Sequence, residues 1–387
     1  DVRNNAAPTL VAAKSVPLAP RDAGYDAIQL ITEVSHFVLY GQSLQVGVHS
    51  DPVLNSLGLS YAKMFAGGPR PQDGGTNPAV VYASLENLTE QIGTAAGIVA
   101  GETPCSGLAK MFRQLVLAET FVDITDSGLT PLLSSPGDGG IAISVLGDAA
   151  GPYLSRLKDN VTYGKSLSNG DGHTYGVAGL AWQQGQSDYA NGTTRSTYVT
   201  ALRQLRTDIE TWAQSVSGLA RPLPMLIVQI ANHLAYSVDT PSIALAQTDV
   251  GADTYSCVIC PDYFFPRYAP DGVHLTNVGS EWMGAYYGLG FKRWLIDGCR
   301  PVPLTPGTPA KIGQQLLVPF SIPFGGRKLV VDTETLSDPG NYGFTLDDGA
   351  GTPIAISSVA LAGPSTVRIT AGASIPSGAK LRYGWIG

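Results

Sequence analysis

The sequence predicts an α/β fold: a central parallel sheet covered by helices on both faces, followed by a small all-β sandwich at the C-terminal end. Two observations predict the first part. Short apolar runs that stop at glycine or polar residues read as buried strands, and they alternate with segments of helical period. A third observation predicts the second part: after Cys299 the Pro/Gly-rich "RPVPLTPGTPAKIG" leads into short β-like runs separated by turn residues.

The candidate strands of the main unit, in order, are "HFVLYGQ", "IAISVLGD" (Ile141 to Asp148), "YGVAGLAWQQG" (Tyr175 to Gly185) and "MLIVQIA" (Met225 to Ala231). Between the last two, Tyr198, Leu202, Leu205, Ile209 and Trp212 recur at the spacing of an amphipathic helix. A later helix is predicted over "TNVGSEWMGAYYGLGFKRWLID", with Thr276 or Asn277 as cap and Trp282, Tyr286, Leu289 and Trp294 on one face. Leu44 to Gly140 is less regular; it holds Gly/Pro-rich loops and one clear helical pattern, "GLAKMFRQLVLAE". The β-like runs are "QLLVPFSIPF", "KLVVDTETL", "YGFTLDD", "IAISSVAL", "TVRITAG" and "KLRYGWIG". The expected division is an arm over residues 1–30, an α/β domain over 31–300, and a linker plus β-sandwich over 301–387, the sandwich starting near Gly307.

Composition narrows the function. Forty-four per cent of residues are hydrophobic, which argues for a globular chain despite 46 glycines and 27 prolines. A net charge of −7 without any Lys/Arg cluster argues against nucleic-acid and anionic-membrane partners. No apolar run approaches the roughly 18 residues of a membrane span. The first thirty residues lack signal-peptide character, so any export signal is expected to have been removed. The four cysteines, Cys105, Cys257, Cys260 and Cys299, leave a disulfide and buried free thiols both open, and no histidine lies at zinc-site spacing from "CVIC".

The chemistry starts at "FVLYGQSLQVG". Gly41 lets the chain turn at a strand's carboxyl end, where open α/β sheets place their ligand crevices, so Ser43 would face a site. A serine needs a base and a carboxylate to orient that base. "YAPDGVHLTNVGS" offers Asp271 three residues before His274, so the carboxylate can meet Nδ1 and leave Nε2 free to take the serine proton. His36, His49, His173 and His233 read as structural or solvent-facing. "LAWQQGQSD" places Gln184 at the same edge, where its amide can donate to an oxyanion, and the turn "GETPCSGLAKMF" opens a helix whose N–H groups favour an anion. Gln42, Trp182 and Gln186 flank the crevice as candidate substrate contacts; for Trp182 and Tyr189, packing is the alternative to stacking on a sugar ring.

Taken together, Ser43 in "GQS", Gln184 in "WQQGQSD" and the pair in "DGVH" resemble the SGNH hydrolase superfamily, in its branch of sialate O-acetylesterases and plant-type acetylxylan esterases. That branch carries G-Q-S, W-x-Q-G-E-x-D and D-x-x-H in this order, and the match runs roughly from Phe37 to Leu295. The resemblance implies a flavodoxin-like α/β/α sandwich. It implies Ser43 as nucleophile, His274 as base, Asp271 as orienting carboxylate and Gln184 in the oxyanion hole. The implied activity is removal of O-acetyl groups from carbohydrate through an acyl-enzyme, with no metal or organic cofactor. A secreted or extracellular setting, a phage virion included, is a separate expectation. Two departures stand out. Gln186 replaces the family's acidic residue, and the family's oxyanion glycine aligns with "TPCSGLA", which puts Thr103 where glycine is usual and leaves Gly101, Thr103 or Gly107 as the donor. The rival readings are an esterase or lipase for non-carbohydrate esters and a non-catalytic glycan-binding surface protein. Oligomeric state, glycan and acetyl position stay open.

Overall fold

The computed structural model describes residues 32–71, 77–323, 326 and 328–385, so the arm expected over residues 1–30 lies outside the described residues. The strands of the main unit are β1 (Val34–Gly41), β2 (Leu59–Phe65), β3 (Leu85–Leu88), the hairpin β4 (Gly93–Ala95) and β5 (Ile98–Ala100), β6 (Thr130–Ser134), β7 (Tyr175–Gln183), β8 (Met225–Gln229) and β9 (Ser256–Pro261). Among the described residues they build a seven-stranded sheet of order β3-β2-β6-β1-β7-β8-β9, with the hairpin apart. Its neighbours run parallel except β2 with β3. The helices are α1 (Pro78–Val81), α2 (Pro104–Thr120), α3 (Ile143–Leu146), α4 (Pro152–Gly170), α5 (Gln186–Ala190), α6 (Arg195–Ser217), α7 (Ser242–Gly251) and α8 (Asn277–Phe291). None is long and apolar enough to cross a membrane.

Strand β1 is buried along its whole length, and its alternating side chains feed two separate cores, as the two-residue period of a strand requires. Val38 and Tyr40 pack with Leu154, Leu157 and Val161 of α4, Tyr198, Leu202, Leu205 and Ile209 of α6, and Ile243 and Val250 of α7. Phe37 and Leu39 pack on the other face with Leu108 and Phe112 of α2 and Met283, Tyr287 and Phe291 of α8. This is the helix–sheet–helix sandwich the sequence predicts.

Several elements differ from expectation. "IAISVLGD" is no strand: Ile143–Leu146 forms the single turn of α3, and the Asp188 carboxylate accepts its first N–H, that of Ile143, at 2.9 Å. A short apolar run reads equally well as strand or buried helix. The strand that belongs there is β6, "TPLLS", five residues within an irregular stretch. In α8 the cap is Thr276, whose hydroxyl accepts from Gly279 N–H at 3.2 Å, but the buried face differs from the one predicted: Trp282 is 41% exposed, and the face turned inward carries Gly279, Met283, Gly284, Tyr287, Gly288 and Phe291. Glycine makes this face because α2 crosses it in contact with the backbone. A Cβ at Gly284 would collide with the Pro104 carbonyl, and one at Gly107 with the Glu281 carbonyl.

The C-terminal part is antiparallel throughout, with β10 (Thr305–Pro306), β11 (Ala310–Ile312), β12 (Gln315–Ser321), β13 (Phe344–Asp347), β14 (Ile356–Gly363), β15 (Thr366–Ala371) and β16 (Lys380–Tyr383). Leu316, Val318, Val367 and Ile369 of the larger sheet meet Phe344 and Leu346 of the β13–β16 pair in one core. "KLVVDTETL" is not a strand; Asp332 Oδ1 accepts from the N–H groups of Glu334 and Thr335 and holds a turn there. This part touches the main unit near the carboxyl edge of the sheet. Tyr383 and Tyr263 hydroxyls lie 3.0 Å apart, and His233 Nε2 is 3.1 Å from the Trp385 carbonyl. Among the described residues no disulfide joins the cysteines.

Candidate active site

At the end of β1, Gly41 sits so close to β7 that any Cβ would collide with the Gln183 carbonyl oxygen, and Gln42 N–H then donates to that oxygen at 3.1 Å. The chain folds back immediately. Ser43 O accepts from Val48 N–H at 2.9 Å, with Gly47 at φ 74° completing the turn. Ser43, 6% exposed, therefore sits at the carboxyl edge of the central strand.

Asp271 and His274 meet as the sequence predicts. His274 Nδ1 is 2.6 Å from Asp271 Oδ2, while Asp271 Oδ1 accepts from the N–H groups of Val273 at 2.8 Å and His274 at 3.0 Å. Partial burial pushes the Asp271 carboxyl up, but these hydrogen bonds outweigh it and hold the group below the usual aspartate value. Asp271 is therefore ionised at neutral pH and fixes the ring with Nδ1–H toward itself. The loop carrying this pair is tied to the Ser43 turn: Ser50 Oγ donates to Leu275 O at 3.0 Å and meets Ser280 Oγ at 2.8 Å. Between these ties lies His49, on the Ser43 turn, with its ring 5.1 Å from that of His274 and stacked at 4.5 Å on Tyr268. In the sequence His49 reads as structural or solvent-facing, because a histidine alone in a Gly/Ser loop carries no signal for a partner 225 positions away.

The remaining assignments are redistributed. Gln184 is fully buried, and its Nε2 donates to Asp188 Oδ2 at 2.5 Å and Ile141 O at 3.1 Å, while Oε1 accepts from the Tyr198 hydroxyl at 2.9 Å. Both its N–H bonds are taken, so the side chain holds the turn after β7 in place and has no proton left for an oxyanion. Thr103 and Gly107 are engaged elsewhere. Thr103 caps α2 and gives its N–H and hydroxyl to Glu90 at 3.0 and 2.8 Å; Ser106 does the same at 3.2 and 2.9 Å. The anion that this helix start attracts is thus an internal carboxylate. Burial and the neighbouring Glu102 push Glu90 up to about 7 despite these donors. Gly107 is the glycine at the α2–α8 crossing.

The glycine that adjoins Ser43 is Gly137, in "SSPGDGG" after β6. A Cβ there would collide with the Gly41 carbonyl, so its main chain lies directly against the serine turn. Among the described residues, no group accepts the N–H of Ser43 or of Gly137. The sequence signal for Gly137 was a Gly/Pro turn following a strand too short to stand out.

Of the three substrate contacts, Trp182 is a correction. It is fully buried, its Nε1 donates to the Tyr198 hydroxyl at 3.2 Å, and its ring packs 6.0 Å from Tyr40, so it is core. Gln42 Oε1 accepts from the N–H groups of Gly185 and Ser187 at 3.3 and 3.4 Å and joins the two turns. Gln186 is buried, with neither carboxamide atom hydrogen-bonded among the described residues. Tyr189 is buried as well, its hydroxyl accepting from Ala244 N–H at 3.1 Å.

The fold and its edge define a doubly wound α/β protein that gathers a serine turn, an Asp–His pair and N–H groups without an acceptor among the described residues where its parallel strands end. No protein-family model matches the chain, and no curated protein matches it in sequence. Among solved structures, XAC1771, a carbohydrate acetylesterase from Xanthomonas citri, is similar in fold with TM-score 0.54 and 15% identity over 91% of this chain and 75% of that one. A protein of Arabidopsis thaliana aligns with TM-score 0.50 and 17% identity over 67% of this chain and 98% of its own. NanS aligns with TM-score 0.41 and 9% identity over 68% of this chain and 97% of that one.

Proposed function

We propose that the chain is a serine esterase that removes O-acetyl groups from carbohydrate. The observation that carries this reading is the 2.6 Å Asp271–His274 contact in a loop tied to the Ser43 turn. In the proposed reaction Ser43 Oγ attacks the acetyl carbonyl carbon while His274 Nε2 takes the hydroxyl proton, and the negative charge of Asp271 stabilises the imidazolium. The N–H groups of Ser43 and Gly137, having no acceptor among the described residues, serve as the oxyanion donors, a contribution of about 3–4 kcal/mol for each. Collapse of the tetrahedral intermediate breaks the ester C–O bond, and His274 returns the proton to the departing sugar oxygen. Water then attacks the acetyl-serine with His274 again as base, releasing acetate.

Carbohydrate as the alcohol half draws support from the motif resemblance and from the activity of XAC1771. The test is acetate release from a panel of acetylated xylans, pectins, sialosides and bacterial polysaccharides, alongside p-nitrophenyl acetate. Ser43→Ala and His274→Ala are each expected to lower turnover about a million-fold. A fluorophosphonate that fails to label Ser43, together with turnover indifferent to both substitutions, would leave a glycan-binding protein as the better reading.

A further inference from the structure

We propose that His49, Asp271 and His274 form a binding site for a zinc-type transition-metal ion, and that occupancy of this site switches the esterase off. One donor atom from each of the three residues lies within 4.8 Å of the other two. The set is two imidazoles and one carboxylate, which suits Zn²⁺ and its first-row neighbours and is poor for Ca²⁺ or Mg²⁺, whose shells are built of six or more oxygens. With Zn–N bonds of about 2.0–2.1 Å, two imidazoles on one tetrahedral ion have ring centroids roughly 5 Å apart. The His49 and His274 rings stand 5.1 Å apart, nearly perpendicular at 75°.

The donors are held in place before any ion arrives. His49 occupies a left-handed backbone conformation at φ 61°, its N–H donates to Val99 O at 3.0 Å, and its ring lies flat on Tyr268, 4° from parallel. Asp271 is fixed by the N–H groups of Val273 and His274, and Tyr268 N–H donates to His274 O at 2.8 Å. The three donors come from two loops already joined by Ser50 and Leu275.

Coordination at either nitrogen of His274 removes the base. An ion on Nε2 occupies the lone pair that would take the serine proton. An ion on Nδ1 displaces the proton shared with Asp271, and the neutral ring then carries its proton on Nε2, which again cannot accept one. The inhibitory half of the proposal rests on the esterase reading; the metal-binding half does not.

The experiment uses the full chain with metal salts alone. ZnCl₂ is expected to abolish p-nitrophenyl acetate turnover, and EDTA to restore it. CoCl₂ is expected to give the intense visible absorption of four-coordinate Co²⁺. His49→Asn, which tolerates the left-handed backbone, should keep basal turnover, lose the Co²⁺ absorption and require at least about tenfold more Zn²⁺ for inhibition. Turnover indifferent to Zn²⁺ or raised by it, or equal sensitivity in His49→Asn, overturns the proposal. If the chain hydrolyses no acetyl ester, the cobalt spectrum decides alone: bands that vanish in His49→Asn support the site, and their absence from the unaltered chain overturns it.

Discussion

Two turns of this chain present main-chain N–H groups as an anion receptor would, one after β1 at Ser43 and one at the start of α2. From the sequence they look alike, each a short Gly/Ser/Thr-rich turn beside a regular element. At α2 the donors of Thr103 and Ser106 converge on Glu90, which is 2% exposed, and nothing further can enter. At β1 the N–H of Ser43 and that of the adjoining Gly137 have no acceptor among the described residues. Buried backbone donors are nearly always paired. A pair left without acceptors among the described residues is therefore the more informative of the two arrangements, because it leaves donors that a bound oxyanion can take up.

The comparison can be broken by substitution. Asp271→Asn should leave the fold intact and lower acetyl-ester kcat about ten-thousand-fold by presenting the wrong imidazole tautomer; a loss below tenfold, with unchanged circular dichroism, would deny the pair its role. Glu90→Ala should act at the other turn with the opposite profile. It orphans two N–H groups and two hydroxyls, which costs about 1–3 kcal/mol for each N–H left unpaired. Urea denaturation should show that loss while turnover per folded molecule stays near that of the unaltered chain. Gly137→Ala forces a methyl against the Gly41 carbonyl and is expected to lower kcat about a hundredfold with little change in KM.

The smallest effect is in pH. Burial and Glu102 raise Glu90 in the folded state to about 7, whereas in the unfolded chain it titrates near the ordinary glutamate value. The folded state therefore holds a proton that the unfolded state has lost, so the contribution is full below about pH 4.3 and fades as pH rises through 7, by at most about 1.4 kcal/mol per pH unit. Glu90→Gln should gain stability relative to the unaltered chain as pH is raised from 5 to 8, read from paired denaturation curves; a constant difference across that range would contradict the assignment.

The parts of the candidate site legible in the sequence are those whose geometry is local. Asp271 and His274 need only three residues of chain to meet, and Ser43 needs only a strand followed by a glycine turn. What escaped is what depends on neighbours distant in sequence. Gly137 has no side chain to announce it, and its place beside Ser43 follows from β6 pairing with β1. His49 gains meaning only from the loop folded against it. Gln184 lies at the predicted edge, but Asp188, one helical turn later, takes its amide. The buried face of α8 was hidden for a different reason: reading for large apolar residues selects Trp282, whereas close contact with α2 selects glycine.

The contacts of Tyr383 with Tyr263 and of Trp385 with His233, which link the C-terminal part to the main unit, fall on the segments that follow β9 and β8. Tyr263 lies eight positions ahead of Asp271, so the tyrosine pair works as a clasp on the root of the histidine loop. On the esterase reading proposed above, slack in the terminal β-sandwich would reach the imidazole as a change in where it rests, and the precision of acetyl transfer would then depend on a part of the chain that holds none of the proposed triad.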